Sequence, residues 1–165
     1  MLPFLAVPAL VMVVPAPSVP DSVQVHARIW VLKGAPTAAT FAALKSAGIT
    51  HVINLRRDGE PGFDADGENA ALMASEISYI RLAMSRTPAP GDLDLFRNIV
   101  RDLPSSARVL VHCGNGNRAA AAVCGFLVLN EKMEAGKALA LAREAGLAAP
   151  ETEKTLKDYL EKKRA

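Results

Sequence analysis

The chain has 165 residues, a formal net charge of +2 and 50% hydrophobic residues, enough for one domain with a core that needs neither disulfide nor metal. So small a charge leaves no footprint for nucleic acid or an anionic membrane surface, and 5% aromatic residues provide no base-stacking platform. The two cysteines, Cys113 and Cys124, lack zinc-site spacing, and no internal repeat recurs along the chain.

MLPFLAVPALVMVV is almost wholly apolar, and PAPSVPDS after it is proline-rich. The run is shorter than the roughly 20 residues that span a bilayer and has the length of a signal-peptide core. No Lys or Arg precedes it, and Pro17 after Ala16 makes a poor cleavage position. Residues 1–22 are therefore read as an export signal, a short anchor or an apolar arm, and 23–165 as the domain. Location in the periplasm or beyond follows from the first reading, the cytoplasm from the last. Membrane contact is expected through residues 1–22 alone.

From Val23 onward strand and helix alternate. HARIWVLKG reads as one strand ending at Gly34. Pro36 and Thr37 open a helix, AATFAALKSAG, with Phe41, Leu44 and Ala47 at helical spacing and Gly48 just past its end. THVINLR is a buried strand, RDGEPGFDADGE a loop, ENAALMASE a helix and ISYIRLAM a strand. SRTPAPGD is a second loop, with Asp92 as the expected cap of DLDLFRNIVRDL. SSARVLVH is the last strand, and the helices AAAAVCGFLVLNE, AGKALALAREAG and ETEKTLKDYLEKKRA follow. The pattern predicts an α/β fold with a mainly parallel sheet of four to five strands and helices on both faces.

Ligands in such sheets bind beyond the carboxyl ends of the strands. HCGNGNR lies at such an end, with a helix starting near Arg118. Gly114, Asn115, Gly116 and Asn117 therefore form a strand-to-helix turn whose amides, backed by the helix dipole, make an anion cradle. A cysteine in that cradle is placed to act as a thiolate. Arg118 supplies a planar fork for two oxygens of a tetrahedral oxyanion. The assignment is Cys113 and Arg118 as catalytic, residues 114–117 as phosphate-binding and His112 as supporting.

HCGNGNR resembles the His-Cys-x5-Arg signature of cysteine-dependent phosphatases. GAPTAATFAALKSAGITHVINLR, YIRL and LFRNIVRDL resemble the bacterial dual-specificity-phosphatase-like domain, in the beta-lactamase-hydrolase-like branch. This resemblance implies hydrolysis of a phosphorylated protein or a small phosphoester through a phosphocysteine, with no cofactor, no metal and no nucleic-acid partner. It also implies a phosphatase-like loop between the last strand and a helix.

The chain departs from that pattern in three places. The loop is Cys-x4-Arg, one residue short and of the length used by rhodanese sulfurtransferases. Ala119 stands where a hydroxyl residue follows the arginine. Ser85 stands near the place of the general-acid aspartate, leaving Asp92, Asp58, Glu60 and Asp64 as candidates, each of them also readable as a cap or turn residue. A sulfurtransferase with a Cys113 persulfide and a catalytically weak oxyanion-binding protein are therefore carried as alternatives. GNGNRA fits a dinucleotide-binding pattern formally, but no strand follows the helix. Cys124 reads as core, His26 and His51 as structural, and Arg56 and Arg57 as flanking the site or solvated. Substrate choice is expected to lie in loops 57–67 and 85–91.

Overall fold

The computed structural model describes residues 18–165; the signal, anchor or arm expected over residues 1–22 lies outside them up to residue 17. Among the described residues no helix is long and apolar enough to cross a membrane. In chain order the elements are β1 Ser22–His26, β2 Ile29–Leu32, α1 Ala38–Leu44, β3 His51–Asn54, α2 Ala65–Ala74, β4 Ser78–Arg81, α3 Pro90–Asp102, β5 Val109–His112, α4 Asn117–Leu129, α5 Ala135–Glu144 and α6 Pro150–Arg164.

The sheet has the order β1-β2-β5-β3-β4. β2, β5, β3 and β4 are parallel, and β1 is an antiparallel edge strand on β2. The single strand expected over 26–34 is thus the second half of a hairpin that turns at Ala27 and Arg28. The turn carries no glycine or asparagine, and the pairing is irregular between Gln24 and His26, so the usual short-range hairpin signal is absent.

Strand β5 is central and fully buried, and its residues alternate between the two faces. Val109 and Val111 join a core with Phe96, Phe126, Leu127 and the alanines of α4. Leu110 joins a second core with Trp30, Leu32, Leu44, Val52 and Leu72. Helices α1 and α2 therefore cover one face and α3 to α6 the other. Every residue of α4 from Asn117 to Val128 is buried, and its run of four alanines lets β5, α3, α5 and α6 approach closely.

Two helix starts differ from expectation. Asp92 sits inside α3, whose N-cap is Ala89, and its carboxylate accepts the Ala89 N–H at 3.0 Å. Pro90 at the first helical position sets that earlier start. Helix α2 begins at Ala65 because Asp64 caps it, accepting the Gly67 N–H at 2.9 Å.

Candidate active site

The site is built where β5 ends. His112 and Cys113 are both fully buried, and the chain turns into α4 through Gly116, the N-cap, at φ +82°. A β-carbon there would lie 2.9 Å from the Lys33 carbonyl and 3.0 Å from that of Ala145. Glycine is thus required both by the left-handed backbone and by the close approach of two neighbouring chains. The N–H groups of Gly114, Asn115, Gly116 and Arg118 donate to no protein group among the described residues. They are open donors at the positive end of a helix, in the loop that directly follows the buried Cys113.

Arg118 is buried behind this bowl. Its Nη1 donates to the carbonyls of Leu55 at 3.1 Å and Met84 at 3.0 Å. Nη1 and Nη2 meet the Glu60 carboxylate at 2.6 and 2.7 Å. Burial pulls the guanidinium pKa down, but Glu60 and the Cys113 sulfur more than offset it, leaving it above its ordinary value. The Nε edge of the fork has no protein partner among the described residues and is the edge left for an oxyanion.

Glu60 is held mainly by the Arg118 hydrogen bonds, which lower its pKa to about 2. Both of its oxygens are taken up by Arg118, an arrangement that suits an anchor for the guanidinium and not the proton donor the sequence allowed it to be. Arg56, also buried, ties the same loop by donating to the carbonyls of Pro61 at 2.6 Å and Gly62 at 3.3 Å. Arg57 is exposed, and its backbone N–H donates to Glu60 at 3.0 Å. The other acid candidates are committed elsewhere: Asp58 to Arg81, Asp64 to its cap and Asp92 inside α3. Ser85 is exposed and does not line the cleft.

Residues not visible as a motif surround His112, whose two ring nitrogens make no hydrogen bond among the described residues, so the supporting role expected of it is not seen as a hydrogen bond. Its Nε2 lies 3.6 Å from a carboxylate oxygen of Glu68, which also accepts from Asn54 Nδ2 at 2.8 Å and the Tyr79 hydroxyl at 2.7 Å. Burial drives the His112 pKa down to about 3 and pushes that of Glu68 up. Asn54 also accepts the Arg56 N–H at 2.7 Å, so one buried cluster joins the residue before Cys113 to the loop carrying Glu60. The cluster draws on α2, β3, β4 and β5.

Asn117 departs from the expectation that its amide binds phosphate, because that N–H donates to Asn115 Oδ1 at 3.3 Å. Its side-chain oxygen accepts the N–H groups of Ala148 at 3.1 Å and Ala149 at 3.0 Å, and its nitrogen donates to Thr152 at 2.8 Å. It clamps the α5–α6 turn to the bowl. Cys124 is buried among apolar side chains, which push its thiol up to about 12, as befits a core residue. His51 bonds its neighbour Thr50, and His26 lies beside Glu131.

A cleft of about 510 Å³ opens over the loop, its walls including Arg56, Glu60, Arg86, Arg118, Ala149 and Glu151. A buried cysteine at the end of a central parallel strand, a glycine-turned bowl of open amides and an arginine at the start of the next helix define a cysteine-dependent phosphatase-like domain. No family model matches the chain. It is 33% identical over 123 residues to dual specificity protein phosphatase 19 of Mus musculus, an alignment covering 70% of this chain and 51% of the relative. The chain spans about half the length of that curated relative. Its fold matches a putative phosphatase (DUF442) from Shewanella putrefaciens CN-32, with TM-score 0.69, 22% identity and coverage of 86% and 92% of the two chains. It also matches the core catalytic domain of the PP-IP phosphatase SIW14 from S. cerevisiae, with TM-score 0.68, 16% identity and coverage of 84% and 85%.

Proposed function

We propose that the chain hydrolyses phosphate monoesters through a phosphocysteine intermediate. One observation carries the reading: the buried Cys113, whose sulfur interacts with Arg118, opens a loop in which four backbone N–H groups donate to no protein group among the described residues, at the N-terminus of α4. Cys113 attacks phosphorus, and the S–P bond forms as the P–O bond to the leaving group breaks. The amides of Gly114, Asn115, Gly116 and Arg118 and the Nε edge of Arg118 stabilise the equatorial oxygens. Glu60 and the carbonyls of Leu55 and Met84 hold the guanidinium in place for that task. Water then attacks the phosphocysteine, releasing phosphate and the thiolate.

The mouse relative is named a protein phosphatase and the yeast structure a PP-IP phosphatase. Both names support a phosphoester substrate, either a phosphorylated protein or a small molecule. Arg86 lines the cleft and, among the described residues, has no carboxylate partner, which favours substrates carrying further negative charge. Export or anchoring through the apolar N-terminal run belongs to the same proposal, and a reporter fused after Asp21 tests it by leaving the cytoplasm or staying in it.

The short Cys-x4-Arg loop keeps sulfur transfer as the competing chemistry. Wild type and Cys113→Ser are assayed in parallel with an aryl phosphate and with thiosulfate plus cyanide. Phosphate release lost in the serine variant supports the proposal; thiocyanate formation without phosphate release overturns it.

A further inference from the structure

The phosphatase reading leaves the departing oxygen without a proton source. Among the described residues two carboxylates line the cleft, Glu60 and Glu151. Glu60 is an anion locked to Arg118. Resting on that reading, we propose that Glu151 is the general acid, a catalytic residue delivered by α6 rather than by the loop that precedes the nucleophile.

The bowl itself fixes where Glu151 stands. Asn117 makes three hydrogen bonds to Ala148, Ala149 and Thr152, the residues on either side of Pro150 and Glu151. Gly146 packs directly on Gly116, so close that a β-carbon on Gly146 would lie 3.2 Å from the Gly116 α-carbon. The start of α6 is therefore joined to the nucleophile loop by hydrogen bonds and by backbone contact. Glu151 is exposed and makes no ion pair among the described residues. Its neighbour Glu153 faces elsewhere and pairs with Arg143 and Lys157. Glu151 lines the same cleft as Gly114, Asn115 and Arg118, where a phosphoryl group would sit.

In the first step the Glu151 O–H passes its proton to the leaving oxygen as the P–O bond breaks, giving a neutral alcohol and a carboxylate. In the second step that carboxylate takes a proton from the water that attacks phosphorus. The S–P bond breaks, the electron pair returns to sulfur, and Glu151 is again protonated.

The test compares kcat/KM, which reports steps through P–O cleavage, on two esters: phenyl phosphate, whose leaving group needs the proton, and 2,4-dinitrophenyl phosphate, whose leaving group does not. Glu151→Gln is expected to lose about 100-fold on phenyl phosphate and less than about threefold on the dinitrophenyl ester. Glu151→Asp is expected to recover part of the loss, and thermal unfolding of both variants to match wild type. Equal losses on both esters, or no loss on either, would overturn the assignment of Glu151. Wild type that releases phosphate from neither ester would overturn the phosphatase reading itself, a distinct result.

Discussion

Arg118 and Glu60 meet in a two-pronged ion pair, Nη1 to Oε1 at 2.6 Å and Nη2 to Oε2 at 2.7 Å, and both side chains are largely shielded from water. Removing the acid leaves a buried guanidinium without its counter-charge. Glu60→Ala is therefore expected to destabilise the fold by about 3 kcal/mol, the range for one half of a buried pair. Glu60→Gln keeps one acceptor and is expected to cost less while lowering turnover, because Arg118 loses one of its anchors. Urea unfolding and phosphate release on the same two variants check this; an unchanged midpoint for Glu60→Ala would mean that the pair does not hold the loop.

Gly116 and Gly62 both have positive φ, +82° and +68°, but only at Gly116 would a β-carbon meet backbone atoms. Gly62→Ala is expected to cost about 1 kcal/mol, the left-handed penalty alone. Gly116→Ala adds a 2.9 Å clash with the Lys33 carbonyl and one at 3.0 Å with that of Ala145. It is expected to lose several times more stability and all activity. Similar unfolding midpoints for the two variants would contradict the close approach of the loop to the α5–α6 turn.

The sequence shows the site's chemistry more clearly than its support. Cys113 and Arg118 are legible because cysteine, glycine turn and arginine lie within one short stretch after a β-branched strand. Asn54, Glu68, Tyr79 and His112 share no such stretch; they meet through the parallel pairing of β3 with β4 and β5 and the return of α2 over the sheet. Asp58, Glu60 and Asp64 look alike in a turn-rich loop, and tertiary contacts alone separate a surface partner of Arg81, the Arg118 anchor and a helix cap. Asn117 has the composition of a phosphate-cradling residue, yet two amides and a hydroxyl from the α5–α6 turn take up its side chain. The β1–β2 hairpin was illegible for want of turn residues, since Ala27 and Arg28 carry no local bias toward reversal.

Burial of His112 makes stability depend on pH. In the unfolded chain its imidazole takes up a proton below its ordinary value of 6.5; in the folded chain burial lowers this to about 3. Between those values the unfolded state binds more protons, so stability falls as pH drops. From pH 7 to 5 this amounts to a loss of about 2 kcal/mol. His51, also lowered by burial, adds to the loss, while the raised Glu68 acts in the opposite direction. Glu60 does not enter this window, because its contribution is lost only as pH falls from 4.5 toward 2. His112→Gln is expected to flatten the decline between pH 7 and 5 in urea titrations. An unaltered slope would show that the imidazole is protonated in the folded chain, through Glu68 at 3.6 Å and against the nearby charges of Arg56 and Arg118.

Ala119, fully buried after Arg118 in the first turn of α4, bears on the second chemical step. The Cys113 sulfur has a side-chain neighbour in Asn115 Oδ1 at 3.9 Å, an acceptor that gives nothing to a departing thiolate. A hydroxyl at position 119, where the resembled phosphatases carry one, supplies such a donor. A charge-assisted hydrogen bond is worth roughly 1.5–3 kcal/mol, or about 10- to 150-fold in the rate at which sulfur leaves phosphorus. Wild type is therefore expected to accumulate phosphocysteine, giving a fast burst of aryl alcohol followed by slow turnover. Ala119→Ser is expected to raise the steady-state rate and shrink the burst amplitude while leaving the burst rate constant unchanged. Its stability should stay close to wild type provided the new hydroxyl finds the sulfur, because an unsatisfied buried hydroxyl costs about 1–3 kcal/mol. Stopped-flow release of 4-nitrophenol from both proteins, with unfolding midpoints alongside, decides the point. Absence of a burst in wild type and no gain in the variant would place the slow step at P–O cleavage and not at the return of the thiolate.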